Sequence, residues 1–288
     1  MIKKYFPQLY ILLAGITWGM IGLFNRHLLG CGFSPAAIVL VRNFGGLLLM
    51  TALFILMDRR IFCIKWRHIP YFLGTGIISV LLFTLMYFSC QEQCSLAIAA
   101  VLLYTAPTFV MLMSALLFRE KITKNKMLAL AVAFIGCVIV SGAFGDGGAV
   151  TATGLLMGIG SAFFYALYSI FARYALAHYS SLTVTYYTFL FAGVASLFVT
   201  SPAAVFARLC ANTTVPLLAL GLVVVSTVVP YILYTKGLER VESGKASILA
   251  GIEPVAAAVV GVLAFGEPMS VSVILGLCCV LGSVYILR

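Results

Sequence analysis

Apolar residues run along this chain in long, nearly continuous stretches that are separated by short polar segments. A helix needs roughly 20 mostly apolar residues to cross the ~30 Å hydrocarbon core of a bilayer. The period-two alternation typical of a membrane β-barrel is missing from these stretches. The pattern therefore predicts an all-α membrane protein with ten transmembrane helices, near residues 8–28, 35–57, 70–89, 96–118, 127–144, 154–176, 183–200, 215–236, 245–265 and 270–287.

The second half of the sequence repeats features of the first half at an offset of 147 residues. Matched positions are Trp18 with Tyr165, Tyr87 with Tyr234, and Pro107 with Pro254. Each half, 1–144 and 154–288, is predicted to hold five spans, and the glycine-rich segment 145–149 joins them. Because five is odd, the second half must enter the membrane in the opposite orientation. Two inverted five-helix repeats are typical of secondary transporters, whose sites lie near the midplane between the repeats.

Lysine and arginine fall mainly on one side of the predicted membrane. If the N-terminus is cytoplasmic, 15 of the 18 Lys and Arg residues lie inside, Arg26 and Arg208 lie outside, and Arg42 lies within the second span. This asymmetry follows the positive-inside rule. It predicts a multi-pass protein of the cytoplasmic membrane with both termini in the cytoplasm. The net charge of +10 is then a topology signal, and nucleic acid is not expected as a partner.

The composition narrows the class of protein further. Hydrophobic residues make up 63% of the chain and charged residues only 9%, which is unlike a soluble domain and makes the lipid bilayer its main partner. The eight cysteines and three histidines show none of the spacings that hold structural or catalytic zinc. We therefore predict no metal and no cofactor.

Small, polar and aromatic residues share one face of the first span and of the sixth. This face carries Trp18 and Asn25 in the first span and Tyr165 in the sixth, with Tyr168 adjoining. Residues at these helical spacings point in one direction, and a lipid-facing stripe would instead be aliphatic. Trp18 and Tyr165 also lie near mid-span, away from the aromatic belts of the interface. We predict that these four side chains line a substrate cavity; interior packing is the alternative.

The third and eighth spans carry a second matched set. Ser79, Phe83 and Ser226 are predicted to be further substrate contacts, and the two serines are expected near the midplane. Tyr87 falls near the outer end of its span and Tyr234 near the inner end of its own. They are either gates at opposite mouths of the cavity or anchors at the membrane interface.

Three prolines are predicted to interrupt or kink their helices. Proline has no backbone N–H, so it frees a carbonyl group in the preceding turn. Pro230 lies in the eighth span, and Pro107 and Pro254 occupy matched positions in the fourth and ninth spans.

Glu253 is the most unusual single residue, because it lies within the ninth span beside Pro254. A charged side chain at the bilayer centre costs at least ~2.5 kcal/mol, so it should face a cavity or a partner. Glu253 is therefore a candidate for substrate binding and for proton coupling, with a structural brace beside the proline as the alternative. Arg42 is the other deep charge, either a partner within the helix bundle or a contact for an anion.

Glu120 and Glu267 end the fourth and ninth spans. A carboxylate at the start of a helix can accept hydrogen bonds from its free amides and suits the positive end of its dipole. We predict that each glutamate has this structural role towards the span that follows it.

Several of these residues together resemble a known family. They are Trp18-Gly19, Arg42, Tyr104-Thr105-Ala106-Pro107 with Glu120, and Glu253-Pro254 with Gly261 and Glu267. The set is similar to the EamA-type branch of the drug/metabolite transporter superfamily, over almost the whole chain. The resemblance implies a ten-helix inverted-repeat carrier in the cytoplasmic membrane that exports metabolites or amino acids, in many members with proton coupling.

The sequence thus predicts a secondary active transporter that exports a small polar, amino-acid-like metabolite by alternating access, with protons as candidate coupling ions. An alternative is uptake of an organic cation, since Trp18, Tyr165 and Tyr168 can form an aromatic cage beside Glu253. An intramembrane enzyme is a distant alternative, because no nucleophile with a base and no paired acids stand out. We predict that the protein is not an enzyme. The substrate's identity and the oligomeric state are left open.

Overall fold

The computed structural model describes residues 6–57, 59–93, 96–141, 151–266 and 271–287. The regular structure in these ranges is helical and contains no β-strand, so the prediction of an all-α protein is confirmed. The helices of the first half are α1 (Phe6–Gly19), α2 (Ile21–Gly30), α3 (Pro35–Met57), α4 (Ile69–Leu73), α5 (Phe83–Gln91), α6 (Leu96–Leu103), α7 (Ala106–Phe118) and α8 (Lys124–Ser141). Those of the second half are α9 (Ala152–Leu176), α10 (Ser181–Ser196), α11 (Pro202–Leu209), α12 (Thr214–Val223), α13 (Val229–Leu238), α14 (Ser243–Ala250), α15 (Glu253–Phe265) and α16 (Val271–Ile286). The predicted connector 145–149 and Glu267 lie outside the described residues.

Within the described ranges, seven helical segments are long and apolar enough to cross a membrane. They are Phe6–Gly30, Pro35–Leu56, Trp66–Gln91, Ile98–Phe118, Ala152–Leu176, Thr214–Leu238 and Ser243–Phe265. The predicted fifth, seventh and tenth spans form α8, α10 and α16, which have 18, 16 and 16 residues and are not among the seven. The chain is therefore a multi-pass membrane protein, while the count of ten spans and the inverted repeat stay predictions.

Two spans are broken into half-helices at matched places. The first break lies between Leu103 and Ala106 and the second between Ala250 and Glu253, which is again an offset of 147 residues. Pro107 and Pro254 each occupy the second position after the break. An amide donor has no partner within the helix at this position, so proline is tolerated there while it prevents the preceding half-helix from continuing.

The third and eighth spans contain π-helical turns instead of breaks. These turns cover Gly74–Leu82 and Val224–Val228. Pro230 follows the second one and cannot donate a hydrogen bond to the carbonyl of Ser226. A wider turn accommodates the missing donor, and such turns are frequent at functional sites.

The first long helix of each half packs among helices of the other half. Helix α1 contacts α13, α14 and α15, whereas α9 contacts α5, α6 and α7. Glycine permits this close approach: a Cβ atom on Gly19 would lie 2.6 Å from the carbonyl oxygen of Glu253, and one on Gly158 would lie 2.4 Å from the Leu102 side chain. The residues on α1 and α9 therefore lie between the two halves of the chain.

Candidate functional site

Aromatic side chains from both halves meet around a small cavity. The ring of Trp18 on α1 lies 5.3 Å from the rings of both Tyr231 and Tyr234 on α13, between centroids. Tyr168 on α9 meets Tyr231 edge to face at 5.2 Å. The lining of this aromatic cavity consists of Trp18, Ser79, Val80, Phe83, Tyr165, Tyr168, Ser169, Tyr231 and Tyr234. Edge-to-face contacts of this kind contribute about 0.5–1.5 kcal/mol beyond the area that they bury.

Hydrogen bonds between α9 and α13 hold two of these tyrosines in place. The hydroxyls of Tyr168 and Thr235 are 2.7 Å apart, and those of Ser169 and Tyr234 are 2.8 Å apart. The space that remains has a volume of about 10 Å³, which admits about one water molecule. The aromatic cavity is therefore closed to anything larger in this conformation.

A second cavity adjoins the first and contains Glu253. It measures about 20 Å³, and its lining includes Tyr104, Pro107, Tyr165 and Ser247 in addition to Glu253. The ring of Tyr165 belongs to both cavities and separates them. We name this second space the acidic cavity. It lies where the breaks of both discontinuous spans meet.

Glu253 occupies the first turn of α15, where the positive end of the helix dipole favours a carboxylate. Its carboxyl group forms no hydrogen bond with another described residue. The side chain therefore has its hydrogen-bonding capacity available to a molecule in the acidic cavity.

Among the described residues, Arg42 on α3 is the charged group that attracts the Glu253 carboxylate. One terminal guanidinium nitrogen of Arg42 donates a hydrogen bond to the hydroxyl of Tyr231 at 3.2 Å. Its Nε atom is buried and has no hydrogen-bond partner among the residues that the structure describes. Burying a charged donor without a hydrogen-bond partner costs folding free energy. The guanidinium therefore has a donor available for a ligand.

Some predicted site residues do not line either cavity. The hydroxyl of Ser226 in the π-helical turn and the side-chain oxygen of Asn25 are both buried, and neither has a hydrogen-bond partner in the described part of the chain. Ser79 does line the aromatic cavity, but its hydroxyl donates a hydrogen bond to the carbonyl oxygen of Gly74 at 2.7 Å.

The two candidate gate residues differ in their surroundings. Tyr234 is only 4% exposed and lines the aromatic cavity against Trp18. Tyr87 is half-buried, and its ring lies 6.1 Å from that of Phe83. Their roles as gates stay predictions.

Several lining residues were missed from the sequence. Tyr231 lies three residues before Tyr234, so helical spacing alone pointed to Tyr231 on the same face. Ser169 lies four residues after Tyr165, on the face of the sixth span that the sequence already predicts to be interior. Tyr104 and Ser247 had no such signal, because their exposure to the acidic cavity depends on the breaks in the helices that carry them.

Glu120 has a different partner from the one that its position in the sequence suggests. Its carboxylate accepts hydrogen bonds from the backbone amides of Ser243 at 2.8 Å and Gly244 at 3.2 Å. These amides begin α14, in the other half of the chain, so the prediction that Glu120 caps the following span is wrong. The following helix α8 is instead capped by Thr123, whose hydroxyl accepts from the amide of Lys126. An ion pair between Lys126 and Glu242 lies beside this interhelical cap.

Among the described residues, no group of three or more His, Cys, Asp or Glu side chains is close enough together to hold a metal ion.

The chain is similar in sequence to known transporters. The model of the EamA-like transporter family matches residues 6–142 and again residues 152–288. An uncharacterized transporter of Archaeoglobus fulgidus is 28% identical over 278 residues, which cover 96% of this chain and 94% of that protein. An uncharacterized inner membrane transporter of Salmonella typhimurium, YicL, is 27% identical over 285 residues, covering 97% and 94% respectively.

A crystal structure with 18% sequence identity superimposes with a TM-score of 0.78, over 97% of this chain and 95% of the other. That likeness shows a shared fold. Both halves of the sequence match one family model, and the matches together span nearly the whole chain. The protein therefore belongs to the EamA-like transporter family, within the drug/metabolite transporter superfamily.

Proposed function

We propose that this protein is a secondary active transporter that exports a small polar, amino-acid-like metabolite across the cytoplasmic membrane by alternating access. Its membership in a transporter family supports the transport of a small molecule. The two cavities between the halves of the chain support a site near the midplane, as inverted-repeat carriers have.

One observation carries the choice of a substrate with two opposite charges. The half-helices α7 and α15 both begin at the acidic cavity, which Ala106 and Glu253 line. The first turn of α7 contains no acidic residue, so its positive dipole end suits a substrate carboxylate. Glu253 at the start of α15 suits a substrate ammonium group. A small amino-acid-like molecule carries both groups at a short separation.

The closed state of the cavities supports alternating access. Volumes of about 10 and 20 Å³ exclude any metabolite, so the aromatic side chains must separate before a substrate enters. Trp18 from the first half and Tyr234 from the second pack on each other across the aromatic cavity. A relative movement of the two halves would open this contact.

Proton coupling is the part of the proposal that rests on Glu253 alone. Intramembrane carboxyl groups that face a cavity are frequent proton relays. Glu253 has no hydrogen-bond partner among the described residues, and Arg42 is the charged group that interacts with it. Alternation of access would let the carboxyl group take a proton from one side and release it to the other.

Uptake of an organic cation is the second candidate. The rings of Trp18, Tyr165, Tyr168, Tyr231 and Tyr234 line one cavity beside the acid. Aromatic faces together with one carboxylate are the usual recognition site for quaternary ammonium groups. In that case Glu253 would be a counter-charge and would not carry protons.

Transport by proteoliposomes separates these proposals. The wild-type protein is first screened by thermal shift against amino acids, amines, nucleosides and sugars, because a bound ligand stabilises the folded state. With the stabilising compound, Glu253→Gln is then compared with the wild type in substrate exchange and in transport driven by a pH gradient. Glu92→Gln, at an exposed glutamate, is the matched control.

If Glu253 couples protons, Glu253→Gln keeps exchange and loses acceleration by the pH gradient. If Glu253 holds an ammonium group of the substrate, the same variant loses binding, because the counter-charge is gone. The compound that stabilises the wild type in the thermal-shift screen then distinguishes an amino acid from an organic cation. Wild-type affinity and wild-type pH response in the Gln variant would exclude both roles and leave Glu253 as a structural brace.

A further inference from the structure

A large apolar crevice lies apart from both cavities, on the surface of the helix bundle. Its volume is about 520 Å³, within the range of pockets that hold drug-sized ligands. Helices α3, α11 and α12 form its walls, and every residue that lines it is apolar, including Phe44, Leu48, Val205, Phe206, Ala219 and Leu220.

The crevice opens towards the surface that a bilayer covers. Helices α3 and α12 belong to membrane-spanning segments, and Leu48 and Leu220 at the crevice are 56% and 52% exposed. The walls of the crevice are apolar throughout, and hydrocarbon chains are the medium that surrounds membrane-spanning helices. An acyl chain therefore matches both the shape and the chemistry of this space.

Helix α11 places a positive charge beside the crevice. Pro202, Val205, Phe206 and Leu209 line the crevice at helical spacing, so α11 has one apolar face. Arg208 lies in the last turn of α11, off that face, and its side chain is exposed. Its guanidinium rests against the backbone of Gly32, where an added Cβ atom would lie 2.4 Å from a guanidinium nitrogen. Arg208 forms no ion pair with a carboxylate among the described residues.

We propose that the crevice binds one acyl chain of an anionic phospholipid and that Arg208 binds the phosphate of its headgroup. A short helix with an apolar face and an exposed base is typical of the membrane interface, where arginine attracts anionic lipids. The crevice is separate from the proposed substrate cavities, although both use α3: Phe44 faces the crevice, whereas Arg42 contacts Tyr231.

Native mass spectrometry of the purified protein tests this site. The wild type is titrated with phosphatidylglycerol and with phosphatidylcholine of the same acyl chains. Leu48→Trp enlarges an exposed lining residue to fill the crevice, and Arg208→Gln removes the charge. The matched controls are Leu116→Trp, at a residue that is 81% exposed and does not line the crevice, and Arg67→Gln, at another exposed arginine.

The wild type should retain one phosphatidylglycerol in preference to phosphatidylcholine. Arg208→Gln should weaken phosphatidylglycerol about fivefold, as expected for one basic residue, and leave phosphatidylcholine unchanged. Leu48→Trp should weaken both lipids, and the controls should match the wild type. Equal retention of lipid in Leu48→Trp and Leu116→Trp would overturn the acyl-chain site. A dimer that Leu48→Trp dissociates would also overturn it, because a second copy would then fill the crevice.

Discussion

Removal of the Glu120 carboxylate should destabilise the protein by separating two distant parts of the chain. The side chain follows α7 and accepts from two amides at the start of α14. Glu242, the residue that precedes α14, provides no side-chain cap of its own. In Glu120→Ala both amides lose their acceptor, and this contact between the two halves of the chain is lost.

The magnitude follows from the geometry. Loss of a helix N-cap costs about 0.5–2 kcal/mol, and hydrogen bonds to charged groups contribute about 1.5–3 kcal/mol each when they are well buried. Glu120 is half-buried, so water replaces part of what is lost, and we expect about 1–2 kcal/mol for Glu120→Ala. Glu120→Gln keeps one acceptor oxygen without the charge and should lose about half as much.

Unfolding by titration with SDS in mixed micelles measures this loss for the purified variants. Glu92→Ala is the control, because Glu92 is exposed and should change the free energy of unfolding by less than about 0.5 kcal/mol. Equal stability of Glu120→Ala and Glu92→Ala would refute the interhelical cap. An equal loss in Glu120→Ala and Glu120→Gln would instead show that the charge alone matters.

Two further predictions concern helix packing and topology. Gly76→Ala should destabilise the protein by about 1–3 kcal/mol, because its Cβ atom would lie 2.5 Å from the carbonyl oxygen of Thr188. Gly22→Ala is the control in the same unfolding assay. Its Cβ atom would have nothing within 4 Å, so this variant should be neutral or slightly stabilising. In intact cells, an impermeant maleimide should label a variant whose sole cysteine is Cys210 and spare one whose sole cysteine is Cys63, both exposed residues; the opposite labelling would contradict the predicted orientation.

Local features of the sequence were sufficient for the class of fold and for part of the site. Helices form wherever an apolar run is long enough to cross hydrocarbon, because a backbone without water must satisfy its hydrogen bonds within the segment. The repeat at 147 residues identified Trp18 and Tyr165, which line the aromatic cavity, and the depth of Glu253 indicated a cavity around it. These conclusions needed only spacing, length and the cost of burying charge.

The partners of these residues depended on how the helices pack. Trp18 meets Tyr231 across more than 200 residues of sequence, and Glu120 caps α14 rather than the helix that follows it. Asn25 and Ser226, which share the predicted faces, turn out not to line the cavities. Helical spacing defines a face, but the rotation of each helix, its breaks and its π-helical turns decide what that face meets. Those depend on contacts between side chains far apart in the chain, which only the tertiary structure brings together.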